Sequence, residues 1–180
     1  ANAGGVARLI TKPSHRARIA YYGLVRMVDR LAGHVLAALE GRDDTIVAYV
    51  SDHGEALGER GLWCKSTFYD ESSKVPMIFA GPGIEVSRVD DRVTGLLDLS
   101  ATILDLAGVP ALPGQVGRSL ASKDPWTHRV TSSYYGGLMN IKTKALRHRM
   151  LRQNTLKLCV YDGHAPQLFD LEADPDELCE

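Results

Sequence analysis

Between Arg16 and Glu40 the apolar positions recur at helical spacing. Ala20, Tyr21, Leu24, Val25, Val28, Leu31, Ala32, Val35 and Leu39 form one stripe, with Arg18, Arg26 and Arg30 largely off it, which predicts an amphipathic helix. Gly41 is expected to end that helix, and Asp43-Asp44 to form a turn. Thr45–Val50 is short, rich in β-branched residues and almost wholly apolar, the pattern of a strand buried on both faces in a parallel sheet. A helix leading into such a strand is half of an α/β repeat. Val75–Ala80 predicts the next strand, with Pro76 favouring its start or an edge and Gly81-Pro82-Gly83 closing it. Asp98–Ala107 predicts a helix with Leu99, Ile103, Leu104 and Leu106 inward, stopped by Gly108 and followed by Pro110.

The pattern changes near Pro113. Short alternating runs predict strands over Val130–Tyr135, Ala145–Leu151, Leu156–Tyr161 and Gln167–Leu171, with turns at Gly136-Gly137 and Asp162-Gly163. The expected fold class is therefore α/β for residues 1–114, a sheet with flanking helices, followed by a small antiparallel subdomain over residues 115–180. Neither an internal repeat nor a low-complexity tract interrupts this order.

Composition narrows the function classes. The chain has 180 residues, 44% of them hydrophobic, enough for a real core. Lys and Arg number 21 against 22 Asp and Glu, so no basic field points to nucleic acid and no acidic block to a solvating tail. No run of about 18 apolar residues suggests a membrane span, and Ala1-Asn2-Ala3-Gly4-Gly5 lacks the basic and apolar regions of a signal peptide. Cys64, Cys159 and Cys179 are odd in number and widely spaced, without a zinc pattern, which leads us to expect reduced thiols and a cytoplasmic location.

The chemistry concentrates after the first expected strand. Asp52 and His53 follow Val50-Ser51, and ligands of open α/β sheets bind beyond the carboxyl ends of strands, where a carboxylate and an imidazole reach a metal. Gly54 would let the backbone turn away beneath them. Lys65, after a loop containing Gly58 and Gly61, could face an anion held by the same metal, and Arg60 is a second candidate for that task. The residues alone leave plainer alternatives open. Asp52 could cap a helix starting near Glu55, His53 could be a structural histidine and Lys65 a solvated one, with Trp63, Phe68 and Tyr69 as loop anchors or core.

The longer stretch resembles a known family. Ser51-Asp52-His53-Gly54-Glu55-Ala56-Leu57-Gly58-Glu59-Arg60-Gly61-Leu62-Trp63-Cys64-Lys65, followed by Phe68, Glu71 and Val75-Pro76, resembles the second signature region of the sulfatases, within the alkaline-phosphatase-like superfamily, and is most similar to the choline-sulfatase branch. Leu97–Gly108 resembles the family's helix after the metal strand, Gly117-Arg118-Ser119-Leu120 the start of its C-terminal subdomain, and Pro166–Leu178 its terminal segment. The resemblance covers about residues 16–178 and implies a partial alkaline-phosphatase-like mixed or parallel sheet with flanking helices. It further implies that Asp52 and His53 ligate a divalent metal, calcium or manganese, and that Lys65 binds a sulfate oxygen of a sulfate-ester substrate and acts in catalysis. A hard cation suits the carboxylate, while the imidazole tilts such a site towards manganese.

One family feature does not occur in this sequence. The nucleophile of sulfatases is a formylglycine made from Cys or Ser in a Cys/Ser-x-Pro-x-Arg motif, and no such pentapeptide is present. The expectation is therefore the C-terminal half of a sulfuric ester hydrolase, inactive without an N-terminal half that carries the formylglycine and the other ligands. Two alternatives stand beside it: a non-catalytic remnant or interaction module, and part of a phosphonate monoester or phosphodiester hydrolase of the same superfamily. Separated from its other half, such a chain is expected to expose apolar surface and to self-associate.

Overall fold

The computed structural model of the chain describes residues 12–136 and 146–179. The chain runs through α1 (Lys12–Ala37), β1 (Val47–Val50), a 3-10 turn (Glu59–Gly61), α2 (Asp70–Ser73), β2 (Met77–Ala80), α3 (Leu96–Leu106), β3 (Arg129–Gly136), β4 (Leu146–Gln153), β5 (Leu156–Tyr161) and β6 (Gln167–Asp170). This is the mixed α/β architecture that the pattern predicts. It divides into two compact units, one ending at Arg88 and the other beginning at Val89, and the division expected near residue 115 falls inside the second.

In the first unit, α1 forms where its stripe predicts but ends at Ala37, before Gly41, which takes a left-handed φ of 80° after the turns that succeed the helix. Leu24, Val28, Leu31 and Val35 of the stripe are exposed. An arginine off the stripe makes a long-range polar contact: Arg18 Nε donates to the Leu57 carbonyl at 2.7 Å, and Arg18 Nη2 pairs with Glu59 Oε1 at 2.7 Å. α1 thereby grips the loop after β1.

Strands β1 and β2 pair antiparallel, in register from Val47↔Ala80 to Val50↔Met77. Two expectations for this segment are corrected. Among the described residues the strand does not lie in a parallel ladder, and it is not buried on both faces: Tyr49 is 45% exposed and sits opposite Ile78, 57% exposed. A β-branched apolar run records that both faces suit burial, but burial needs neighbours, and among the described residues β1 has one partner strand. The antiparallel register sets the exit of β1 beside the start of β2, so the loop over residues 51–76 begins and ends at one end of the pair.

In the second unit, the start of α3 is organised by Asp98. Its Oδ2 accepts the Gly95 N–H at 2.8 Å, closing the first turn, and its Oδ1 accepts the Arg118 N–H at 2.9 Å. Thr102 Oγ1 donates to the Asp98 carbonyl at 2.6 Å and accepts the Leu120 N–H at 2.9 Å. The segment over residues 117–120 is thus sewn to one face of the helix, and that face buries Ala101 and Thr102. Ile103, expected inward, is 47% exposed, because the packing partner arrives on the hydrogen-bonded side of the helix. Asp98→Ala removes the acceptor of two amides and should cost about 2 kcal/mol. Urea unfolding would measure it, with Asp98→Asn expected to lose less.

The remaining strands form the expected antiparallel sheet, and its order is β3-β4-β5-β6. β4 and β5 turn at Asn154-Thr155, with Asn154 left-handed at φ 53°. Gly163, φ 81°, makes the expected turn after β5. The expected turn at Gly136-Gly137 and strand start at Ala145 reach into residues 137–145, outside the described ones. One face of the sheet carries Met150, Cys159 and Phe169, all buried, and among them the buried Lys157. Its Nζ pairs with Glu177 Oε1 at 2.6 Å. Trp126 carries the guanidinium groups of Arg92 and Arg118 at 4.8 and 4.5 Å from its ring centroid, and donates its indole N–H to the Val93 carbonyl at 2.9 Å. The hydrogen bond that Arg92 donates to the Asp90 carboxylate raises the Arg92 pKa above its ordinary value. Among the described residues, Cys64, Cys159 and Cys179 form no disulfide. Among the described residues, no helix is long and apolar enough to cross a membrane.

Candidate metal and anion site

The chain leaves β1 at Val50 and reaches Asp52 and His53 within three residues. Ser51 Oγ donates to the His53 carbonyl at 2.8 Å, curling the backbone so that the two side chains come together. No helix starts at Glu55, so Asp52 is not a cap; its carboxylate is 82% exposed and stands 3.4 Å from His53 Nε2.

Gly54 serves a different need from the one its sequence suggests. Its N–H donates to the Ser72 carbonyl at 2.8 Å, tying the loop to α2. A Cβ at this position would lie 2.0 Å from the Glu71 carbonyl oxygen. Glycine is required for close backbone approach, and its φ is not left-handed.

The His53 ring is oriented by its neighbour. Nδ1 lies 2.8 Å from the Gly54 carbonyl. A carbonyl oxygen only accepts, so Nδ1 is the donor, and the neutral ring in this orientation has its lone pair on Nε2. Nε2 then points at the same space as Asp52 Oδ1, and two electron-rich atoms converging on one spot favour a cation there. Lys65 Nζ contacts Nε2 and supplies one.

Lys65 reaches this spot because the loop between them doubles back. Ala56 N–H donates to the Cys64 carbonyl at 3.0 Å and Gly58 N–H to the Leu62 carbonyl at 2.7 Å. Glu55 Oε1 accepts the Cys64 N–H at 2.7 Å and the Leu57 N–H at 3.3 Å. The tight path forces Leu57, Arg60 and Cys64 into left-handed φ values of 51°, 51° and 69°. Left-handed non-glycine residues persist where the surroundings over-determine them, and they cluster at functional sites.

Arg60, the second candidate for anion contact, is placed elsewhere. Its Nη1 donates to Glu71 Oε1 at 2.5 Å, and its guanidinium lies 4.2 Å from the centroid of Tyr69. It holds the loop to α2. Phe68 is buried, and Trp63 packs against Gly58, as expected of loop anchors. Tyr69, under the Arg60 guanidinium, is likewise an anchor as expected, whereas Glu55 and Arg18 are structural residues that pattern reading missed. No local signal marks them, since each acts across the loop.

The donors suit a divalent cation in kind. An exposed carboxylate and an imidazole whose other nitrogen is bound to a backbone carbonyl are what a metal-ligating pair looks like. They are too few to hold calcium alone, which takes about 6–8 oxygens, and among the described residues no group of three or more His, Cys, Asp and Glu is gathered for a metal. The pair fits as one part of a larger ligand set.

Comparison with known proteins places this geometry. The family profile described as Sulfatase matches residues 3–109, and the profile described as N-sulphoglucosamine sulphohydrolase, C-terminal, matches residues 58–180. The chain is 36% identical to arylsulfatase K of Gallus gallus, over 91% of this chain and 33% of that protein. It is 34% identical to choline-sulfatase of Rhizobium meliloti (strain 1021), over 91% of this chain and 32% of that protein. Among solved structures it is similar to a 2-O GAG sulfatase, with TM-score 0.82 and 31% identity over 95% of this chain and 40% of the other. It is also similar to the phosphonate monoester hydrolase of Agrobacterium radiobacter, with TM-score 0.77 and 26% identity over 91% of this chain and 36% of the other. The chain thus spans about a third of the length of the curated relatives it matches. The Asp-His-Gly strand end, the doubled-back loop to Lys65 and a family profile matching more than half of its residues lead to one conclusion: this chain belongs to the sulfatase family.

Proposed function

We propose that this chain supplies part of the active site of a metal-dependent sulfuric ester hydrolase. Asp52 and His53 hold a divalent cation, calcium or manganese, and Lys65 binds a sulfate oxygen of the substrate and offsets charge that develops on it in the transition state. The convergence of Asp52 Oδ1, His53 Nε2 and Lys65 Nζ carries this proposal. The cation, when bound, would polarise the sulfuryl group. The protein's own part is to orient the His53 ring through the Gly54 carbonyl and to bring the Lys65 ammonium to the same spot.

The nucleophile comes from residues outside this sequence, either the rest of a longer protein or a separate chain. The formylglycine motif is absent from these 180 residues, and the exposed stripe of α1 offers apolar surface for such residues to cover. The 180-residue chain alone is expected to bind calcium or manganese weakly, to self-associate in sedimentation, and to hydrolyse no sulfate ester. Combined with a polypeptide carrying the Cys-x-Pro-x-Arg segment, it should hydrolyse an aryl sulfate, with choline sulfate as the substrate closest to its bacterial relative. Lys65→Ala should lower kcat by about 100-fold or more. Turnover by the lone chain, abolished by Asp52→Ala, would overturn the proposal. Likeness to a phosphonate monoester hydrolase supports a second substrate class, a phosphonate monoester, assayed beside the sulfate in the same preparation.

A further inference from the structure

We infer that Glu55 is a positioning residue for Lys65, its carboxylate closing the loop over residues 55–64 and so holding the lysine ammonium against His53. The inference deepens the proposal that Asp52, His53 and Lys65 form one site, and rests on it.

The geometry separates Glu55 from the other groups that hold this loop. Arg18 is attached at Leu57 and Glu59, and Arg60 reaches out to Glu71, so both fix the far part of the loop. Of these three side chains, Glu55 is the one that grips the residue next to Lys65. Its Oε1 accepts the Cys64 N–H at 2.7 Å and the Leu57 N–H at 3.3 Å, so one oxygen ties both limbs. The Ala56 N–H completes the closure by donating to the Cys64 carbonyl at 3.0 Å. Cys64 is therefore held at both its N–H and its carbonyl, in a left-handed conformation at φ 69° that a cysteine would not keep unaided. That conformation sets the direction in which the chain delivers Lys65. Hydrogen bonds from backbone amides to an ionised carboxylate are about twice as strong as neutral ones. An acceptor oxygen of this reach is suited to impose the strained turn, which a side chain without one there would let relax.

The test is nuclear magnetic resonance on the whole chain, read at the cross-relaxation peak between the Lys65 ε-methylene and the His53 ring. Glu55→Ala should abolish that peak while the β1 and β2 amides keep their shifts. Glu55→Gln, which keeps an acceptor oxygen of the same reach, should restore it. If Glu55→Ala does not fold, Glu55→Asp decides: it keeps the charge but is one methylene too short to tie both limbs, and the peak should be lost. Persistence of the peak in Glu55→Ala or Glu55→Asp overturns the inference. A glutamate that merely stabilised the fold would lower the unfolding midpoint and leave the peak in place. Sulfate titration of the unsubstituted chain separates this from the function. If the peak behaves as expected but sulfate shifts neither Lys65 nor His53, positioning stands and the anion-site proposal fails.

Discussion

Gly54→Ala should destabilise the first unit by about 3 kcal/mol or more, a large effect for one methyl group. The new Cβ would lie 2.0 Å from the Glu71 carbonyl oxygen and 3.0 Å from its carbonyl carbon. Both are backbone atoms of α2 and cannot swing aside like a side chain. Relief requires the loop to part from α2, which breaks the Gly54 N–H to Ser72 carbonyl bond. It also moves the Gly54 carbonyl that orients the His53 ring. Loss of amide-exchange protection in β1 and β2 would measure the stability cost. The arrangement of His53 and Lys65 should be lost with it, since both depend on the same backbone. Protection equal to that of the unsubstituted chain would show that Gly54 and α2 can separate at little cost.

Lys157→Met should cost the second unit about 3–5 kcal/mol, because it leaves the Glu177 carboxylate buried without its cation. The two side chains are each 1% exposed and 2.6 Å apart, so neither charge has bulk water to fall back on. Glu177 lies in the segment after β6 and is itself left-handed, at φ 51°. The pair therefore pins the last described residues onto the core face of the sheet. Replacing both partners, Lys157→Met with Glu177→Leu, should recover much of the loss, since matched apolar groups avoid the desolvation of two ions. A double-mutant cycle by chemical denaturation would read the coupling. Additive losses would mean that the pair contributes nothing beyond its separate packing.

Both effects concern groups that local pattern does not flag. Gly54 stands in a stretch with several glycines, and Lys157 alternates with Leu156, Leu158 and Val160, so that pattern and charge both read it outward although it is buried. Each is explained by a residue distant in sequence, Glu71 for the glycine and Glu177 for the lysine. The same holds for the cations of the loop. By spacing alone Arg60 stands second to Lys65 as a candidate for facing an anion, and the structure shows where it goes instead, to Glu71 and Tyr69.

The sequence by itself determined the elements and the family. Helical and alternating periodicities located α1, α3 and the strands of the second sheet to within a few residues. The ordered stretch from Ser51 to Lys65 carries the sulfatase relationship in its residues alone. Tertiary structure alone decided the antiparallel pairing of β1 with β2, the exposure of Tyr49 and Ile103, the close-approach duty of Gly54, and the folding back of the loop that brings Lys65 to His53. The physical reason is common to all four. Periodicity reports which faces of an element suit burial, whereas pairing, exposure and convergence depend on which other segment arrives, and that is set by hydrogen bonds and contacts between residues far apart in the chain.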